Sequence, residues 1–103
     1  MPIRKDFPAI LVKYSETPVF NEDSVPAKLT SVHDTKQGVW GKLIVLEGEI
    51  DYIVPGPPLA RQRISPSNYG VIEPAVPHRV ELIGPVRFKV EFYRAPSGHA
   101  SGQ

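Results

Sequence analysis

From residue 86 to 93 apolar and polar residues alternate without a break. Val86, Phe88, Val90 and Phe92 fall on one side, and Arg87, Lys89, Glu91 and Tyr93 on the other. A period of two is that of an extended chain with one face buried. His78, Val80 and Leu82 alternate with Arg79 and Glu81 in the same way, as do Ile50, Tyr52 and Val54 with Asp51 and Ile53. Between residues 39 and 46 both faces are apolar apart from Lys42, the pattern of a strand covered on both sides. Residues 9–14, 28–33, 61–64 and 71–73 read as shorter strands, which brings the expected number to about eight.

The segments between these runs carry turn chemistry. Residues 34–38 end on Gly38, residues 47–49 centre on Gly48, residues 55–58 read Pro-Gly-Pro-Pro, and Gly84-Pro85 separates the last two runs. Residues 15–26 form a polar loop held by Val19 and Phe20. The 12 prolines lie so that only residues 28–54 form a long proline-free window, and its Val, Ile, Leu, Trp and Thr content with three glycines favours strand over helix. An all-β sandwich or barrel of antiparallel strands is therefore expected.

The 103 residues suit one domain, here residues 1–94, with residues 95–103 as a disordered tail lacking any apolar anchor. A net charge of +1 without basic or acidic blocks gives no reason to expect nucleic acid or a membrane surface as partner. There is no apolar leader or membrane-length segment, so a cytoplasmic location is expected. The absence of cysteine excludes disulfides, thiolate catalysis and cysteine-based zinc sites.

Candidate chemistry rests on histidine. Of the three histidines, His99 lies in the tail, whereas His33 and His78 come from distant segments that a small β-fold can bring together. His78 shares a face with Val80 and Leu82 and should point inward, as a metal ligand, a substrate contact or a core histidine bonded to a carbonyl. His33 either joins it or caps the turn that follows. With one carboxylate from Glu73, Glu91 or Glu49, the pair would make a two-histidine, one-carboxylate set suited to iron(II) or zinc. Trp40 and Lys42 share a face of the central strand. Lys42 either points outward or pairs with a charge near the pocket, and Lys42, Trp40 and Arg79 are candidate contacts for an anionic ligand.

Two segments resemble the cupin superfamily: Val45-Leu46-Glu47-Gly48-Glu49, and Ile72-Glu73-Pro74-Ala75-Val76-Pro77-His78, with Ala75 where that motif usually has glycine. A fuller resemblance, over about residues 9–94, is to the TehB/YeaR-like family. It is carried by Thr17-Pro18-Val19-Phe20-Asn21, His33-Asp34-Thr35-Lys36, Gly38-Val39-Trp40-Gly41-Lys42-Leu43, Val71-Ile72-Glu73-Pro74 and Phe88-Lys89-Val90-Glu91-Phe92-Tyr93. The family comprises small cupin-like proteins and the N-terminal domain of some tellurite-resistance methyltransferases.

The resemblance implies a single cupin-like double-stranded β-helix, a jelly-roll barrel, forming a homodimer. It also implies a role in tellurite, oxyanion or nitrosative stress. Joined to the histidine pair, it leads to the expectation of a metal-binding cupin that binds or converts a small molecule or oxyanion and, if an enzyme, resembles a dioxygenase. The first cupin motif lacks its histidine pair, however. The alternatives are a non-enzymatic ligand-binding or assembly domain, or a protein acting through a separate methyltransferase. Methyl transfer itself is not carried over, because no glycine-rich cofactor fingerprint occurs and the chain leaves no room for that domain.

Overall fold

Two long strands, β3 (Trp40–Val54) and β6 (Arg79–Arg94), carry the architecture and pair with each other antiparallel from Trp40↔Tyr93 to Ile53↔Arg79. The computed structural model describes residues 3–96. The proposed tail beyond residue 96, with His99, lies outside them. The remaining strands are β1 (Val12–Glu16), β2 (Phe20–Asn21), β4 (Ala60–Ile64) and β5 (Gly70–Ile72), with one short helix, α1 (Ala27–Thr30), among the described residues. The sheet runs β1-β6-β3-β4, with β2 also on β6 and β5 also on β3. Every strand pair is antiparallel. The protein is thus almost entirely β. Among the described residues the sheet path β1-β6-β3-β4 does not close on itself, so the all-β class is seen and a closed jelly-roll barrel is not shown.

Residues 47–49 do not end a strand, as their turn chemistry suggested. The chain kinks there without losing its partner: Glu47 stands opposite Arg87 and Glu49 opposite Ile83, so Gly48 faces the three residues Gly84, Pro85 and Val86. Gly48 (φ 81°) and Gly84 (φ 74°) both occupy the left-handed region, which lets a continuous ladder bend by bulging. Each long strand therefore spans two of the eight expected runs.

The bend lets residues from both halves share one core. Leu43, Val45, Phe88 and Val90 come from one half and Ile50, Tyr52, Val54, Ile64 and Val80 from the other. Tyr52 is only 1% exposed. On the opposite face Asp51 is buried between Arg61 Nη1 (2.7 Å) and Arg63. Hydrogen bonds from these guanidinium groups hold its carboxyl below the usual aspartate range against the opposing effect of burial.

The expected strand at residues 28–33 is instead helix α1 and a single bridge at His33. Pro26, with φ −65°, opens the turn, and the Ser31 amide and hydroxyl both donate to the Ala27 carbonyl to close it. Leu29 is the side chain this turn packs against the core.

The N-terminal segment crosses the outer face of β3 and β6. Phe7 packs edge-on against Trp40, Tyr69 and Tyr93. Lys42 Nζ sits 4.8–5.3 Å from the ring centres of Phe7, Tyr69 and Tyr93, a three-sided aromatic cage. Lys42 thus points outward, and Trp40 beside it is covered by the Arg4 guanidinium. Among the described residues no helix is long and apolar enough to cross a membrane.

Candidate ligand-binding site

His33 and His78 meet. Each backbone amide donates to the other's carbonyl, at 2.9 and 2.8 Å, and the rings lie 4.4 Å apart, edge to face. The side chains are fixed in the same manner. His33 Nδ1 stands 3.0 Å from the Ser31 carbonyl and His78 Nδ1 2.8 Å from that of Val76, two residues back in both cases. A carbonyl only accepts, so Nδ1 carries the proton and Nε2 is left as an acceptor. The carbonyl-bonded core histidine weighed for His78 is therefore present, and it leaves a ring nitrogen free for chemistry.

Both rings line a cavity of about 440 Å³, within the range of small-molecule sites. Its apolar wall combines Phe20, Leu29, Val39, Ile72, Val90 and Phe92. Lys28, Asp34 and Lys36 supply charge, and Thr17 and Thr35 supply hydroxyls. The segment from residue 14 to 39 builds much of this wall and is tied to the sheet by specific bonds. The Thr17 amide donates to Val90 O (2.9 Å) and the Thr17 hydroxyl accepts from the Val90 amide (3.0 Å). The Thr35 hydroxyl donates to Val39 O (2.9 Å), and the Ala75 amide donates to Thr35 O (3.1 Å).

Ala75 holds φ 60°, the left-handed conformation that the glycine usual at this motif position adopts freely. Ala75→Gly is expected to stabilise the protein by about 0.5 kcal/mol, because relief of strain slightly exceeds the added chain entropy of glycine. A urea titration checks this; lower stability would show the strain to be negligible.

His78 is 2% exposed, and burial pushes its pKa below the ordinary 6.5; the Val76 carbonyl opposes this, the neighbouring His33 adds to it, and Asp34 opposes it. The depressed folded-state pKa means that the unfolded chain takes up this proton first. The stability His78 contributes is present above pH 6.5 and is lost as pH falls from 6.5 toward the folded-state value, with a slope of up to about 1.4 kcal/mol per pH unit. Unfolding free energies measured from pH 7.5 to 5 should show this fall. His78→Gln should flatten it, and an equal slope in both proteins would contradict the assignment.

The other expected site residues lie elsewhere. Glu91 is engaged by Lys13, Lys89 and the Tyr93 hydroxyl on the outer face. Glu49 pairs with Arg63, and Arg79 with Glu81 at 3.6 Å. Glu73 is half-buried, and its charge, after burial, helps raise the Tyr52 pKa. None of these four, nor Lys42 or Trp40, lines the cavity. Among the described residues no three His, Asp or Glu side chains converge as metal ligands. The expected iron or zinc centre of His33, His78 and a glutamate is thereby corrected. The β-strand alternation had already put Glu91 opposite the buried face. Lys28 and Lys36, missed as site residues, flank His33 in the sequence, which was the available signal.

Comparison with known proteins gives a consistent picture. Two Haemophilus influenzae proteins, strains 10810 and Rd, both named "Probable S-adenosyl-L-methionine-dependent methyltransferase TehB", are 36% and 35% identical to the chain over 77 residues. The match covers 71% of this chain and 27% of theirs, so the chain corresponds to about a quarter of the relatives' length. The crystal structure of TehB from Haemophilus influenzae superposes with a TM-score of 0.79 at 29% identity, covering 91% of this chain and 35% of that one. A crystal structure of a protein from E. coli K12 superposes with a TM-score of 0.80 at 23% identity, covering 89% and 98%, a likeness of fold. These relatives overturn the expectation of a metal-binding stress cupin, since those that carry a functional name are named as methyltransferases, and the wider cupin assignment is not shown by them. Residues 15–90 match the TehB-like domain, and the chain belongs to that family.

Proposed function

We propose that this chain is an accessory binding module that works with an S-adenosylmethionine-dependent methyltransferase of the TehB kind, holding a small molecule in the His33/His78 cavity for that enzyme. The observation that carries this reading is the cavity itself, in a unit that matches only 27% of relatives named as methyltransferases. S-adenosylmethionine does not fit the residues present. A nucleotide-type cofactor is usually held where a parallel strand turns through glycines into a helix. Here every strand pair is antiparallel and α1 is four residues long. The cofactor is therefore assigned to the part of the relatives that this chain does not match, and the module supplies binding and orientation.

Exchange of the module tests the reading. In Haemophilus influenzae TehB, the segment matching this chain is either deleted or replaced by this chain, and methyl transfer to that enzyme's own acceptor is followed. The replacement is expected to keep KM within about threefold of the parent, and the deletion to raise it at least about tenfold, the loss of roughly 1.4 kcal/mol of binding. Equal KM in the parent and the deletion would overturn the proposal.

A further inference from the structure

We infer that the occupant of the His33/His78 cavity is a small hydroxy acid: an apolar body bearing one ionised acidic group and one retained O–H. The inference rests on the binding-module reading above and specifies the chemistry of its ligand. Three features of the lining converge on it.

The imidazoles set the first requirement. With both Nδ1 atoms donating to backbone carbonyls, neutral His33 and His78 present only acceptors at Nε2. An occupant that meets them must bring a donor, and a fully ionised oxygen has none to give. His78 is almost fully buried, so an unmatched acceptor there would be costly to shield from water, which favours a ligand that supplies the proton.

Charge sets the second. Lys28 and Lys36 both line the cavity, and neither forms an ion pair with a carboxylate among the described residues. Asp34 is the one lining carboxylate, so the wall carries one net positive charge with both histidines neutral. Both lysines are exposed, which places them where the cavity meets solvent and where an ionised carboxylate keeps part of its hydration.

The wall sets the third. Phe20, Phe92, Leu29 and Ile72 make most of the remaining surface apolar, which suits a hydrocarbon or aromatic body over a bare inorganic ion.

The test is isothermal titration of the intact chain at pH 7.5 with 4-hydroxybenzoate, benzoate and phenol, which carry both groups, the acid alone and the hydroxyl alone. The expected order is 4-hydroxybenzoate at least tenfold tighter than either of the others. Lys28→Gln with Lys36→Gln should abolish the advantage over phenol, and His78→Phe, with a thermal melt to confirm that it folds, the advantage over benzoate, because His78 is the buried acceptor that the O–H meets. Val39→Trp, which fills the cavity, should abolish binding of all three. Equal affinities, no binding of 4-hydroxybenzoate, or binding that survives Val39→Trp would overturn the assignment. The broader reading fails separately: it is lost if the module proves dispensable to methyl transfer, whichever probe binds. A module that is needed but does not discriminate among the probes removes the ligand class alone.

Discussion

Gly48→Ala is expected to lower stability by about 3 kcal/mol or more, a large share of the roughly 5–15 kcal/mol that keeps a domain folded. Two effects add. Gly48 sits at φ 81°, where a side chain costs about 1–2 kcal/mol. A Cβ there would stand 2.3 Å from the Pro85 carbonyl oxygen and 3.1 Å from the Val86 Cα. These are backbone atoms of the partner strand, so relief requires β3 and β6 to part at the bend that unites the two halves of the core. Gly38→Ala is the matched control. Gly38 has φ 78° but nothing within 4 Å of the added methyl, so the conformational cost of about 1 kcal/mol should stand alone. Denaturant unfolding of both variants separates strain from collision, and equal losses would mean that the close approach at the bend is not real.

Phe88→Ala is expected to cost about 3–5 kcal/mol, the range for an aromatic side chain removed from a filled core. Phe88 is fully buried, stands between Val45 on β3 and Phe20 on β2, and packs edge-on against the Phe20 ring at 5.8 Å. The loss should exceed the transfer term because backbone ladders on both sides of Phe88 resist collapse into the void. Ile83→Ala, at a position 36% exposed on the same strand, should cost under about 1 kcal/mol. Urea midpoints with unchanged slopes check the pair. A Phe88 loss no larger than that of Ile83 would contradict the described core.

The strands were legible where burial of one face writes itself into a period of two. Val86 to Phe92 and Ile50 to Val54 lie where alternation placed them, and His78 is buried on the face of Val80. Other features depend on partners that local pattern does not name. Gly48 reads as a turn because nothing in its own neighbourhood announces Gly84-Pro85 across the ladder. Helix α1 is a single turn, too short for a 3.6-residue period to register. Lys42 breaks an apolar run, and its solution, a cage completed by Phe7 from outside the sheet, needs the tertiary fold. Asp51 was correctly on the polar face, yet its burial comes from Arg61 and Arg63 of β4, whose register is set by pairing.

The meeting of His33 and His78 was the most useful inference from sequence, and the metal built on it was the least. Two histidines on adjacent segments can be foreseen from inward-facing positions. A third ligand needs a carboxylate on the same face, and Glu91 and Glu49 each neutralise basic residues on the outer surface instead. The cavity wall comes largely from residues 14–39, where prolines and polar residues carry no periodic signal of what they cover.

The most direct test of the central claim is the KM of the Haemophilus influenzae TehB chimera carrying this module, compared with the same chimera bearing Val39→Trp, with thermal melts to confirm that both fold. A cavity that holds the small molecule for the enzyme predicts a KM at least about tenfold higher in the filled variant, with kcat unchanged. An unchanged KM in a folded Val39→Trp chimera would show that the His33/His78 cavity has no part in the function of the module.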